Sequence, residues 1–105
     1  MPDFVKVAAV NEIAAGEAKR VEVGGERVAL FNVAGEFYAI SDVCSHAEAS
    51  LSEGFVEEDV VECPLHGARF NVRTGKNLSL PALFPVARYE VRLSGEDILV
   101  APRER

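Results

Sequence analysis

The chain is poor in the residues that usually carry chemistry. Its 105 residues include only two cysteines and two histidines. No apolar run approaches the ~18–20 residues that a membrane-spanning helix needs. The opening residues, MPDFVKVAAV, show neither a basic segment ahead of a long apolar run nor a clear cleavage site, so a cytoplasmic, unprocessed protein is expected. Basic residues are scarce as well: 11 Lys and Arg face 17 Asp and Glu, a net charge of −6. That balance argues against a nucleic-acid or anionic-membrane partner. No G-x-G-x-x-G follows a strand-like run, which leaves a Rossmann-type nucleotide site unsupported. Long helical periods, internal repeats, low-complexity segments and linkers are missing too.

What is present reads as one domain over residues 1–105, built from short strands. Nearly half the residues are apolar, enough for one modest core. Phe4 to Val10 suits a first strand, and Asn11 to Gly16 suits an Asn-capped helical turn closed by glycine. Ala18 to Val23 alternates, Gly24-Gly25 suits a tight hairpin, and Arg27 to Val33 is apolar on both faces, as a covered strand would be. Ala34-Gly35 then turns the chain into Phe37 to Ile40, which gives an up-and-down meander. Val60 to Glu62 and Ala68 to Val72 are further short strands, with Arg73 to Lys76 as a tight turn. Leu78 to Pro85, with two prolines, reads as an extended loop. Ala87, Tyr89, Val91 and Leu93 alternate with polar residues, the pattern of one half-buried strand. Ser94-Gly95 leads to a last strand, Asp97 to Val100. The expected fold class is all-β, a small antiparallel sandwich or barrel.

Both cysteines and both histidines fall into two short runs, Cys44-Ser45-His46 and Cys63-Pro64-Leu65-His66. Two thiolates and two imidazoles form a ligand set that suits a transition metal. One disulfide between Cys44 and Cys63 would leave the histidines unexplained. Structural zinc is an open alternative and would make the chain a zinc-stabilised interaction module, although zinc modules usually draw two cysteines from one knuckle and two histidines from a helix. A [2Fe-2S] cluster with two Cys on one iron and two His on the other is the third possibility. Between the runs lie Glu48, Glu53, Glu57, Glu58, Asp59 and Glu62 with no basic residue among them. They suit either a solvated loop or a steering surface for a basic partner.

The spacing Cys44-x-His46 with Cys63-x-x-His66 resembles the Rieske motif. Its neighbours match as well: Leu51-Ser52-x-Gly54, Val61-Glu62-Cys63-Pro64, His66-Gly67, Phe70, Thr74-Gly75 and Pro81. The resemblance covers essentially the whole chain and is strongest to the small Rieske ferredoxins of bacterial aromatic-ring-hydroxylating dioxygenases. It implies a Rieske-type β-sandwich with a cluster-binding subdomain at about residues 42–80. It further implies one [2Fe-2S] cluster, with Cys44 and Cys63 on the inner iron and His46 and His66 on the outer, exposed one. Such a cluster is neutral when oxidised, so it accepts an electron more readily than a four-cysteine cluster.

Respiratory members of the family carry a disulfide between their cluster loops, and a serine and a tyrosine that hydrogen-bond the cluster sulfurs. The matching positions here are Ala49, Leu65, Ala68 and Phe70. Fewer donors to sulfur stabilise the reduced state less, which predicts a potential of roughly −150 mV rather than +300 mV. O₂ activation at a mononuclear iron generally takes two further histidines and a carboxylate, and the chain has no histidine left for it. The implied role is therefore an electron carrier and not an enzyme. The resemblance gives it an NAD(P)H-dependent flavoprotein reductase as donor and a terminal oxygenase as acceptor, contacted transiently by a monomer. A Rieske small subunit of an assimilatory nitrite reductase is the alternative assignment.

Overall fold

A computed structural model describes residues 4–45, 49–65, 67–80 and 84–102. Among these residues ten strands run in chain order: β1 (Val5–Ala9), β2 (Ala18–Val23), β3 (Glu26–Val33), β4 (Glu36–Ser41), β5 (Phe55–Glu57), β6 (Val60–Glu62), β7 (Arg69–Asn71), β8 (Arg88–Tyr89), β9 (Val91–Ser94) and β10 (Asp97–Val100). They form three antiparallel sheets, ordered β1-β10-β9, β2-β3-β4-β8 and β5-β6-β7. Among the described residues the only helical elements are two 3-10 turns, Val10–Glu12 and Leu51–Glu53. No helix there is long and apolar enough to cross a membrane. The all-β expectation is met.

The glycine pair works as expected. Val23 pairs with Glu26, and Gly24 and Gly25 take φ of 60° and 82°, the left-handed values of a two-residue hairpin. The meander, however, is β2-β3-β4 alone. β1 leaves it to pair with β10, Val5 opposite Val100. The expected Asn-capped turn is also different. The 3-10 turn begins at Val10, so Asn11 lies inside it, and the cap is supplied by Glu12, whose carboxylate accepts the Ala9 N–H at 3.0 Å. Lys19 donates to the other Glu12 oxygen, and these bonds hold the Glu12 carboxyl below the ordinary carboxylate range. The alternating run at 87–93 is not one strand either. It breaks at Glu90, where the chain passes from β8 on β4 to β9 on β10, and Leu93 on edge strand β9 is left exposed.

β3 is apolar on both faces because both faces are covered. Val28 and Leu30 enter one core with Val23, Ala39, Ile98 and Val100, while Ala29 and Phe31 enter a second core. That second core contains Ile40, Leu51, Val61, Phe70 and both cysteines. The buried apolar residues described between β4 and β8 are thus packed on one side of the central sheet. β4 and β8 are themselves neighbours, Ala39 opposite Tyr89, so this long excursion leaves and returns at adjacent points.

The turn after β7 helps to fasten the excursion. Asn71 Oδ1 accepts the N–H groups of Arg73 and Thr74 at 2.8 and 3.2 Å and so forms the expected tight turn. The turn docks on the returning chain, where Val86 N–H donates to Gly75 O at 2.9 Å. Arg73 also reaches Asp59 (3.5 Å) and Glu36 (3.9 Å) and lies 5.1 Å from the Tyr38 ring centroid. Tyr38 donates its hydroxyl to Glu36 at 2.8 Å, a bond that raises the phenol above the ordinary tyrosine value.

Two measurements check this arrangement. Gly75 sits at φ +81°, and a Cβ there would lie 2.3 Å from Val86 O. Gly75→Ala should lower unfolding free energy by about 2–4 kcal/mol, the left-handed penalty plus overpacking, read from the urea midpoint. For Tyr38, the folded-state value is raised, so the contribution is present below the unfolded pKa and lost as pH rises through the folded one. In a Tyr89→Phe background, absorbance titration should show Tyr38 ionising above the ordinary tyrosine value, and Glu36→Gln should move it to lower pH.

Candidate metal centre

The two cysteines sit at the heads of two loops built on one plan. In the first, Cys44 N–H donates to Ala49 O at 3.1 Å, and the flanking residues Val43 and Ser50 form an antiparallel bridge. In the second, Cys63 N–H donates to Ala68 O at 2.7 Å, and the flanking residues Glu62 and Arg69 pair across β6 and β7. Each loop is six residues long, with cysteine at its first position. The second has an added bond, Gly67 N–H to Cys63 O at 3.1 Å. Pro64 helps to end β6 at this point, because proline has no N–H to continue a ladder.

Neither cysteine is in a disulfide, and both are buried, with Cys44 4% and Cys63 1% exposed. They share one core cluster with Phe31, Leu51, Val61, Ala68 and Phe70. Of the four expected ligands, the structure places these two and brings them into the same cluster. His46 and His66 lie outside the described residues, as do Glu48 and Pro81.

A third segment lies against both loops. Ser45 Oγ donates to Phe84 O at 2.6 Å, Leu78 N–H donates to Arg69 O at 2.8 Å, and Arg69 N–H donates to Ser79 Oγ at 3.2 Å. On or beside these loops four large apolar side chains among the described residues face solvent: Leu65, Leu78, Leu80 and Phe84, at 55%, 46%, 75% and 67% exposure.

The acidic stretch is less uniform than its sequence. Phe55–Glu57 within it is strand β5, which composition alone had not marked. Folding also returns arginines to it: Glu62 pairs with Arg69 Nε at 3.2 Å and Asp59 with Arg73 at 3.5 Å. Glu53, Glu57 and Glu58 stay exposed, next to a Phe55 that is 71% exposed.

The buried neighbours of Cys44 and Cys63 in their core cluster are hydrocarbon side chains. Such a setting penalises any uncompensated charge. A [2Fe-2S] group on two thiolates and two neutral imidazoles carries no net charge when oxidised, so it suits this environment. Comparison with known proteins decides the matter. Residues 3–90 match the family model described as the Rieske [2Fe-2S] domain. The chain belongs to the Rieske family. Its cofactor is one [2Fe-2S] cluster, and the zinc alternative falls away.

Relatives of this Rieske chain share its dimensions. It is 50% identical over 97 residues to the ferredoxin component of biphenyl 2,3-dioxygenase from Rhodococcus jostii (strain RHA1), covering 92% of this chain and 91% of that one. The ferredoxin of carbazole 1,9a-dioxygenase from Nocardioides aromaticivorans IC177 superposes with a TM-score of 0.92 at 41% identity, covering 95% of this chain and 98% of that one. A complex of reduced oxygenase and oxidised ferredoxin in carbazole 1,9a-dioxygenase contains a further likeness, with a TM-score of 0.91, 40% identity and coverage of 97% and 95%.

Ala68 and Phe70 are both fully buried in the cluster that holds the cysteines, and neither carries a side-chain donor. Ala68→Ser with Phe70→Tyr should raise the reduction potential. A hydroxyl that favours the reduced form by about 1 kcal/mol is worth roughly 40 mV. Protein-film voltammetry measures the shift. An unchanged or lower potential with an intact visible spectrum would count against the argument.

Proposed function

We propose that this protein is the ferredoxin component of a bacterial aromatic-ring-hydroxylating dioxygenase system. It carries one electron from an NAD(P)H-dependent flavoprotein reductase to a terminal oxygenase. The observation that carries the reading is the pair of matched loops, each presenting one buried thiol from the same backbone frame. The near-complete coverage of dioxygenase ferredoxins supports the choice of system. The ferredoxin–oxygenase complex known for carbazole dioxygenase supports the oxygenase as acceptor.

In this reading Cys44 and Cys63 bind one iron, and His46 and His66 bind the other. When bound, the cluster takes up and gives back a single electron. Residues 42–80 form the cluster-binding part of a single domain that spans 1–105. The loops hold two thiols in a setting closed to water, and Leu65, Leu80 and Phe84 offer partners an apolar contact that excludes water. Exposed Glu53, Glu57 and Glu58 favour approach by a basic surface, so encounters are fast, brief and salt-dependent. The protein works as a cytoplasmic monomer and catalyses no reaction of its own.

Purified protein should be red-brown, contain two irons per chain and bleach with dithionite. Its midpoint potential should lie near the lower end of the Rieske range, roughly −150 mV. Reduction by a flavoprotein reductase should slow as ionic strength rises, followed by stopped-flow absorbance. A colourless protein with stoichiometric zinc, or a potential well above zero, would refute the carrier reading or its low-potential form respectively.

A further inference from the structure

Asp42 is a fully buried acidic residue, two positions ahead of Cys44, to which the proposed function gives no role. Its carboxylate accepts Ser50 Oγ at 2.5 Å and Ser52 N–H at 2.8 Å. The Ser50 and Ser52 hydroxyls are 2.9 Å apart. Through its backbone, Asp42 donates to Arg27 O at 3.1 Å and accepts Leu51 N–H at 2.7 Å. It thereby joins β3, the end of β4 and the segment that closes the Cys44 loop.

The two cysteine loops show why such a joint is needed. Below the Cys63 loop a ladder continues, with Val61 opposite Phe70 and Val60 opposite Asn71. Below the Cys44 loop the pairing is an isolated bridge, Val43 with Ser50, because the chain turns at once into the 3-10 turn Leu51–Glu53. The first N–H groups of such a turn lack partners within it. The Asp42 carbonyl takes that of Leu51, and its carboxylate takes that of Ser52 and adds the Ser50 hydroxyl. A side chain thus replaces the missing ladder. An apolar residue would be easier to bury at this position. It could not hold Ser50 and Ser52.

We propose that Asp42 is a positioning residue for the metal centre. It holds the Cys44 loop in its ligand-ready shape and sets how firmly the cluster is retained. The proposal rests on Cys44 being a ligand, which is tested separately: Cys44→Ser must lose the wild-type visible and EPR spectra. If those spectra survive, the ligand reading fails whatever Asp42 does.

The experiment compares cluster-loaded wild type with Asp42→Ala, Asp42→Asn and Ser50→Ala. Ile98→Ala, in the opposite core, serves as a control whose stability loss is matched to theirs by adding urea. Cluster release to an iron chelator is followed by visible absorbance, and the dithionite-reduced proteins are compared by EPR. Asp42→Ala should release its cluster at least about 10-fold faster than wild type and spread the EPR g-values. Asp42→Asn can still accept from Ser52 N–H and can donate to Ser50 Oγ, so it should restore most of the retention. Ser50→Ala should fall between, and Ile98→Ala should behave as wild type. Release from Asp42→Ala and Ser50→Ala no faster than from Ile98→Ala would overturn the proposal, as would Asn no better than Ala. If Asp42→Ala does not fold, Ser50→Ala against Ile98→Ala decides alone.

Discussion

Two backbone hydrogen bonds govern this structure: Cys44 N–H to Ala49 O and Cys63 N–H to Ala68 O. Each commits a cysteine's own amide to closing its loop, at the point where the side chain is buried. The thiols come from segments well separated in sequence, and the fold must carry both to one place. Shared burial with Phe31, Val61 and Phe70 does so. The hydrocarbon around the sulfurs admits a neutral metal group and disfavours a charged one. Loop closure and local polarity are thus both compatible with a neutral metal group.

The support beneath the loops depends on β3. Its alternating side chains divide between two cores, so one strand both stabilises the base and forms the floor of the metal centre. β4 adds Ala39 to one core and Ile40 to the other. Arg73, set between Asp59, Glu36 and the Tyr38 ring, works at the margin and links the excursion to the base. Each of these ion pairs is exposed and individually weak. The buried apolar contacts hold the parts together.

Features encoded locally were legible in the sequence. Gly24-Gly25 announced its hairpin, β3 its double burial, and the two Cys-His runs their chemistry. Features made by distant residues were not. Arg69 and Arg73 neutralise acids that look uncompensated in the linear chain. Three-residue β5 exists because β6 lies beside it, since so short a run carries little periodicity of its own. Glu12 displaced Asn11 as the cap because its carboxylate reaches both Ala9 and Lys19. The apparent strand at 87–93 changed sheets at Glu90, which an alternation pattern cannot register. At the candidate metal centre the two Cys-His runs stood out in the sequence, whereas Asp42 did not, because its side-chain partners are eight and ten residues away.

The adjacency of β4 and β8 has a consequence for how such a protein can be rebuilt. Because Ala39 faces Tyr89 and Ile40 faces Arg88, the chain between them is an insertion in a hairpin-like seam of the base. Closing such a seam costs entropy that rises only slowly with insert length. The base could therefore accept a longer, shorter or foreign insert, provided its underside meets Ala29, Phe31 and Ile40 with hydrocarbon. Conversely, another small sheet that offers a similar apolar patch beside two neighbouring antiparallel strands is a candidate host for these loops. Portability of the redox unit follows from the seam.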